Sequence, residues 1–397
     1  MHYVSLIIEF LRGRPAVVFW TVALTQSLLW TLIPSLFYSA PPGDVPLLLA
    51  VGHEFVLGSY LGPPLAFWLG EVAFRLAGSV GIYLLAQVCI VVTYWAVFTL
   101  GRRIVGTRHA VLGVLLMVGI ASFTVPSPEF GPAVLAAPLW ALALLHYWRA
   151  VGEGERGYWF LLALDLGLLL LVNYVGLILF ALLTVFTWAV PRGRRALLNP
   201  EPWIAVALLV IVLFPHAAWL ASNRDLVIDG FNDVAPPSRL SPGTWLCVAL
   251  VLAHLGLALM VALASGWPRR RRERAPEIDR NPVVPLARGF VYFFALAPAL
   301  AAIVIAYASG RLGPFASLTP LLVLSGMAVV VAAGDSVPLY RERLVSSAWL
   351  GLLVAPPVLV VLGITLLPWM LPIDLKVAQP ADQEGRYFAE TFQRRVG

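Results

Sequence analysis

The groups in this chain best suited to acid–base and phosphate chemistry sit in the stretches that link its apolar runs. Asp44 follows Pro41-Pro42-Gly43, and His53-Glu54 lie a little further along the same stretch. Glu129 stands in a short proline-rich segment, Thr124–Pro132, and Arg224 follows Asn223 near Asp225 and Asp229. A carboxylate can take the proton of an attacking hydroxyl, and a guanidinium matches a phosphate with two parallel N–H donors. Such a set suits transfer of a group from a phosphate-bearing donor, the acid activating the acceptor while the cation steadies the departing phosphate. Each residue also has a plainer reading. Asp44 before Val-Pro-Leu would serve as a turn residue or helix N-cap, His53 and Glu54 as the polar face of a surface helix, and Glu129 as simple solvation of its loop.

What must position these groups is a membrane bundle. The chain is 60% hydrophobic and 12% charged, with a mean hydropathy of +0.87; soluble domains carry about 25% charged residues. Many runs approach the roughly 20 apolar residues that a bilayer core demands. Eleven spans are expected, at about 15–37, 79–100, 109–123, 131–148, 158–173, 175–190, 202–220, 242–265, 287–308, 314–333 and 348–371. With the N-terminus inside, Arg12, Arg14, Arg102, Arg103, Arg108, Arg149, Arg156, Arg192, Arg194, Arg195 and the basic run Arg269–Arg274 all fall on the cytoplasmic side, as the positive-inside rule asks. Asp44, His53, Glu54, Glu129 and Arg224 then face away from the cytoplasm. The expected fold is all-α and polytopic, one membrane domain over 1–371 followed by a polar outer tail, 372–397, that reads as the start of a further soluble segment. In the first outer stretch, 38–78, two short helices are expected on the membrane surface. They cover 46–57 and 63–78, the second opened by Pro63-Pro64 and carrying Glu71 and Arg75 four residues apart.

The net charge of +6 follows span topology and implies no nucleic-acid partner. The loop 266–288 lacks the glycines or interleaved aromatics that nucleotide or nucleic-acid binding would need, and reads as a topology signal in contact with anionic lipid. Neither P-loop nor zinc-protease signatures occur. Cys89 and Cys247 are isolated and read as small core residues. No metal-ligand spacing is visible, so no cofactor is assigned, and a divalent cation stays open. The first span is too long for a cleaved signal core. Asp165 falls mid-span, where a carboxylate needs a partner or a cavity, and reads as hydrogen-bonded and structural. Asn173-Tyr174 mark the outer end of the same span and could line a pocket with Glu129.

In its first two hundred or so residues the chain resembles the GT-C glycosyltransferases, in particular the bacterial branch of protein O-mannosyltransferases and lipid A aminoarabinose transferases. The likeness is carried by Leu61-Gly62-Pro63-Pro64-Leu65-Ala66-Phe67-Trp68-Leu69, by Phe74-Arg75-Leu76-Ala77-Gly78, by Leu100-Gly101-Arg102-Arg103, by Pro128-Glu129 and by Asn173-Tyr174. Three positions depart from the family pattern: Asp44 is followed by Val45 rather than a second acid, Leu61-Gly62 replaces Asp-His, and Asn173 replaces a lysine.

The resemblance implies a GT-C-like bundle in a bacterial inner membrane that moves a sugar from a polyprenyl-phosphate donor to a lipid, glycan or protein acceptor on the periplasmic side. Asp44 would be the base and Glu129 an orienting acid. His53, Glu54, Asn173 and Tyr174 would line the donor and acceptor pocket, and Arg224 would hold the phosphate. A competing reading is a degenerate relative acting as a lipid or sugar transporter or scaffold. Transport would call for charge through the midplane and two matching halves; Asp165 is the one clear midplane charge and no internal repeat is visible.

Overall fold

The computed structural model describes residues 14–396 apart from 126, 226–227, 229–239, 266–276, 280, 313–316, 335, 371–374 and 379–380. Arg12, Asp229 and the basic run Arg269–Arg274 therefore lie outside the described residues.

In hydrocarbon the backbone has no hydrogen-bond partner but itself, so each apolar run becomes a helix, and a short basic helix and a polar C-terminal one join them. In chain order these are α1 (Pro15–Phe37), α2 (Val45–Gly52), α3 (Leu65–Ile104), α4 (Thr107–Val118), α5 (Pro132–Tyr147), α6 (Tyr158–Val172), α7 (Gly176–Ala189), α8 (Pro191–Ala196), α9 (Glu201–Ser222) and α10 (Pro242–Ala253). There follow α11 (Leu255–Ala264), α12 (Pro285–Ser309), α13 (Leu318–Leu321), α14 (Ser325–Ala332), α15 (Leu339–Met370) and α16 (Ala381–Val396). Proline opens α1, α5, α8, α10 and α12, where its missing N–H would have had no helical partner anyway. The departures from an all-α chain among the described residues are a small antiparallel ribbon, β1 (Glu277–Asp279) against β2 (Ser336–Pro338), with Ile278 opposite Val337, and an isolated bridge between Ser59 and Gly62.

Among the described residues, seven helices are long and apolar enough to cross a membrane unaided, and four shorter apolar helices stand where further spans were expected: Thr107–Val118, Tyr158–Val172, Gly176–Ala189 and Leu318–Ala332. The bundle is built around α5. In its apolar stretch, 83% of the residues are buried, against 17% for the peripheral α9. α5 packs on α3 and α6, and α6 in turn packs on α9. The expected span at 242–265 is broken at His254, whose Nδ1 meets the Leu250 carbonyl at 2.7 Å and whose Nε2 meets Ser325 Oγ at 3.0 Å.

The first outer stretch differs in detail from the expected pair of surface helices. The first covers only Val45–Gly52 rather than 46–57. It stops where it meets the second: a Cβ on Gly52 would lie 2.4 Å from the Phe67 carbonyl oxygen, and Phe55 then turns the chain with φ +49°. The second is the opening part of α3. It runs directly into the following span through a break at Ala77 and Gly78, the latter at φ +59°. Three residues on, Gly81 lets the span pass against the Ala73 carbonyl, which a Cβ would meet at 2.1 Å.

Candidate active site

α1 ends at Phe37, and the chain turns back through Tyr38–Asp44. Gly43 takes φ +58°, a conformation that glycine enters without steric cost. A side chain at this position would strike Glu129, whose Oε2 lies 2.7 Å from where a Cβ would stand. Asp44 occupies the N-cap position of α2, as one reading of the sequence proposed, yet its side chain makes no capping bond. Asp44 is exposed, with no side-chain hydrogen bond or ion pair among the described residues. Two loops distant in sequence thus bring Asp44 and Glu129 together. Partial burial, and then the Asp44 carboxylate, push the Glu129 pKa up. Half-buried Tyr38 shares the environment: burial foremost, and then Glu129, raise its phenol above the usual value. The backbone N–H groups of Ser39 and Ala40 donate to the Val377 carbonyl at 2.8 and 3.2 Å, so the 3₁₀ turn Lys376–Ala378 packs on the same loop.

Glu129 is held in place from below, by amides inside the spans. Gln26 of α1, fully buried, donates to the Phe123 carbonyl at 2.6 Å and accepts from Tyr94 at 3.2 Å. Gln87 of α3 donates to Ser127 Oγ at 3.1 Å, and that hydroxyl donates to the Thr124 carbonyl at 2.6 Å. From above, Phe130 meets Leu48 of α2 over Gly70 of α3, where a Cβ would be 3.3 Å and 2.3 Å from them. The loop 121–130 is therefore clamped between span and surface helices. Sequence reasoning passed over Gln26 and Gln87, although a lone amide in an apolar span is a recognisable signal.

His53 and Glu54 lie at the far end of α2 from Asp44, which an eight-residue helix places about 12 Å away along its axis. They join a different cluster. Glu71, with only 6% of its side chain exposed, receives Arg75 Nε at 2.7 Å and faces His53 Nδ1 at 3.1 Å. The Arg75 bond foremost, and His53 beside it, hold the Glu71 carboxyl below the usual range. The Glu71–Arg75 spacing was legible in the sequence; the link to His53 was not. Glu54 is exposed and makes no ion pair among the described residues.

Asn173 is buried, with Oδ1 accepting the Val175 N–H at 2.9 Å inside the α6–α7 turn and Nδ2 donating to Ser317 Oγ at 2.8 Å, which ties that turn to the segment before α13. Tyr174 reaches His216 Nε2 at 3.0 Å, and His216 Nδ1 meets the Leu57 carbonyl at 2.8 Å. One turn later Trp219 packs on Gly58. The end of α9 is thereby stitched to the first outer stretch, and His216 is a link the sequence reading missed. Arg224 lies just past that end, exposed and without an ion pair among the described residues. Among the described residues no contact joins it to Asp44 or Glu129, and it is His216 and Trp219 that tie its helix to the stretch that holds Asp44. Asp165 is bonded at 2.5 Å to His146 Nδ1, the kind of partner that a mid-span carboxylate requires. Among the described residues no three His, Cys, Asp or Glu side chains are grouped to hold a metal ion.

The long apolar helices and the helical bundle they form are those of a multi-pass membrane protein with a GT-C-like fold. Residues 62–219 match the family model described as dolichyl-phosphate-mannose-protein mannosyltransferase. The whole architecture is similar to that of ArnT from Cupriavidus metallidurans bound to undecaprenyl phosphate, with a TM-score of 0.57 at 16% identity over 92% of this chain and 67% of that one. It is likewise similar to the same protein in the apo state, with a TM-score of 0.55 at 16% identity over 92% of this chain and 66% of that one. The archaeal oligosaccharyltransferase AglB from Archaeoglobus fulgidus, in complex with an inhibitory peptide and a dolichol-phosphate, gives a TM-score of 0.49 at 14% identity over 89% of this chain and 56% of that one. This chain thus spans about two thirds of the ArnT length. No curated protein sequence matches it.

Proposed function

We propose that this chain transfers a sugar from a polyprenyl-phosphate donor to a lipid, glycan or protein acceptor on the non-cytoplasmic face of a bacterial inner membrane. The observation that carries the reading is the meeting of Asp44 and Glu129 at Gly43, on an architecture similar to that of an undecaprenyl-phosphate-bound protein. In the proposed step Asp44 takes the proton of the acceptor hydroxyl as its oxygen bonds to the anomeric carbon. The bond from that carbon to the phosphate oxygen breaks, and polyprenyl phosphate leaves with the electron pair and one more negative charge. Glu129 orients the acceptor or donor through its raised carboxyl. Arg224, carried by the helix end that Tyr174 and His216 tie to the outer stretch, meets the leaving phosphate. His53 and Glu54, with Glu71 and Arg75, shape the acceptor's approach, and Asn173 sets the turn that presents Tyr174.

Purified protein supplied with defined polyprenyl-phosphate sugars tests this. Asp44→Asn is expected to keep donor binding and lower turnover by roughly 100-fold or more, the scale for a positioned base. Arg224→Ala should instead weaken donor binding by about 1.5–3 kcal/mol, the worth of a charge-assisted contact. Unchanged turnover in Asp44→Asn at equal expression would remove Asp44 from the mechanism. It would favour the second reading, a degenerate relative that binds or moves the lipid. That reading draws on the lack, among the described residues, of a cation in contact with the acidic pair.

A further inference from the structure

At the opposite end of the bundle from Asp44 and Glu129 lies a cleft of about 760 Å³ between the start of α1, the end of α3, the start of α4 and the segment leading into α12. Its polar lining includes Arg102, Arg103, Arg108, Thr107, His109 and Asn281, and among the described residues no carboxylate lines it. Arg103 is engaged from outside by Glu153, with Glu155 at 3.9 Å. Arg102 and Arg108 are different. Both are exposed and neither makes an ion pair among the described residues; Arg102 only rests on the Phe98 ring at 5.6 Å. Both line the same cleft, and among the described residues no carboxylate neutralises either.

The backbone at this place adds to the same field. Gly106 is the N-cap of α4 at φ +82°, with no side chain to cap the first turn and open space where a Cβ would project. The positive end of α4, a twelve-residue helix, therefore opens beside the two arginines. Apolar Ile104 and Val284 form part of the wall beneath. Position narrows the ligand further. α1 has 23 residues between this cleft and the turn that leads to Asp44, about 34 Å of helix and so about one bilayer core. The cleft stands at headgroup depth in the leaflet opposite the acidic pair, where basic pockets between spans collect anionic lipid.

We infer that this cleft is a binding site for the phosphate of an anionic phospholipid, with Arg102 and Arg108 gripping the phosphate oxygens and the lower wall receiving the glycerol and acyl portion. It is separate from the proposed donor site and does not depend on transfer activity. The test is native mass spectrometry of the full chain released from nanodiscs of phosphatidylcholine with or without phosphatidylglycerol. The wild type is expected to retain phosphatidylglycerol in preference to phosphatidylcholine. Arg102→Gln combined with Arg108→Gln should retain it at least about tenfold less, the ratio that one charge-assisted contact supports. Arg394→Gln, far along the chain in the C-terminal helix, should leave retention unchanged.

Equal retention of the two lipids by the wild type would overturn the inference, as would undiminished phosphatidylglycerol in a folded double variant. If inorganic phosphate alone displaced the lipid and stabilised the protein as well as phosphatidylglycerol does, the site would be one for a soluble phosphate and the lipid assignment would fall. Should the double variant fail to fold, the wild-type headgroup preference and its weakening by salt decide the matter alone.

Discussion

Folding moves Glu129 partly out of water and sets it beside the Asp44 carboxylate, and both raise its pKa. A group whose folded pKa exceeds its unfolded value, about 4.3 for Glu, contributes stability below that value and loses it as pH rises through the folded pKa. Charged Glu129 is thus a burden on the fold above that range. Glu129→Gln is expected to keep or raise Tm near about pH 7, an advantage that should shrink on acidification toward about pH 4, while turnover of a polyprenyl-phosphate sugar falls. Glu71 should behave oppositely. Its folded pKa is lowered by Arg75 foremost and by His53, so its contribution is present above the unfolded pKa and lost as pH falls through the folded one. Glu71→Gln should therefore lower Tm near about pH 7 and matter less in acid. Thermal melts across pH, run beside turnover, check both signs; a Tm that drops in Glu129→Gln at neutral pH would make that carboxylate a structural group.

At the scale of elements, the surface helices depend on two glycines whose surroundings differ. A Cβ on Gly52 meets the Phe67 carbonyl oxygen at 2.4 Å, which can yield only if α2 lifts from α3. A Cβ on Gly70 meets a Leu48 methyl at 2.3 Å, which a rotamer change relieves. Gly52→Ala is therefore expected to destabilise by about 1–3 kcal/mol, the usual cost of overpacking, and Gly70→Ala by clearly less. Melting temperature together with protease sensitivity at residues 53–62 would show it, and equal effects would mean that α2 is not clamped at Gly52.

The same contrast explains what could be read in advance. Apolar runs and proline starts are local features, so the positions of the apolar helices and of the two helices after the first were legible, with ends displaced by a few residues, whereas four of the expected spans are shorter helices. The shortening of α2 was not legible, because it is set by contact between Gly52 and the Phe67 carbonyl across the turn. The acidic groups Asp44 and Glu129 were legible by residue type and loop position. The role of Gly43 in letting them meet, and the stitching of α9 to Leu57 by His216, are contacts over long sequence distances that leave no spacing to read.

At the scale of the whole molecule, the acidic pair exists because the spans carry one of its members. Gln26 lies inside α1 and bonds the carbonyl of Phe123, 97 residues away, while taking the Tyr94 hydroxyl on its other side. Gln26→Leu keeps the bulk of the side chain but leaves a buried carbonyl and a buried phenol without partners, a loss of about 1–3 kcal/mol for each such group. The effect should travel. With Phe123 released, loop 121–130 loosens, Glu129 moves away from Gly43 and Asp44, and its pKa falls back toward that of an ordinary glutamate. Turnover should drop although no charged group has been removed. Thr31→Ala is the matching control: its hydroxyl bonds only the Ser27 carbonyl within α1, so neither Tm nor turnover should change much. Carbon-13 NMR of the Glu129 carboxyl during a pH titration reads the shift directly. If Gln26→Leu lowered Tm but left the Glu129 titration where it is in the wild type, the surface helices alone would be holding the loop through Phe130, and the spans would support the site without setting its chemistry.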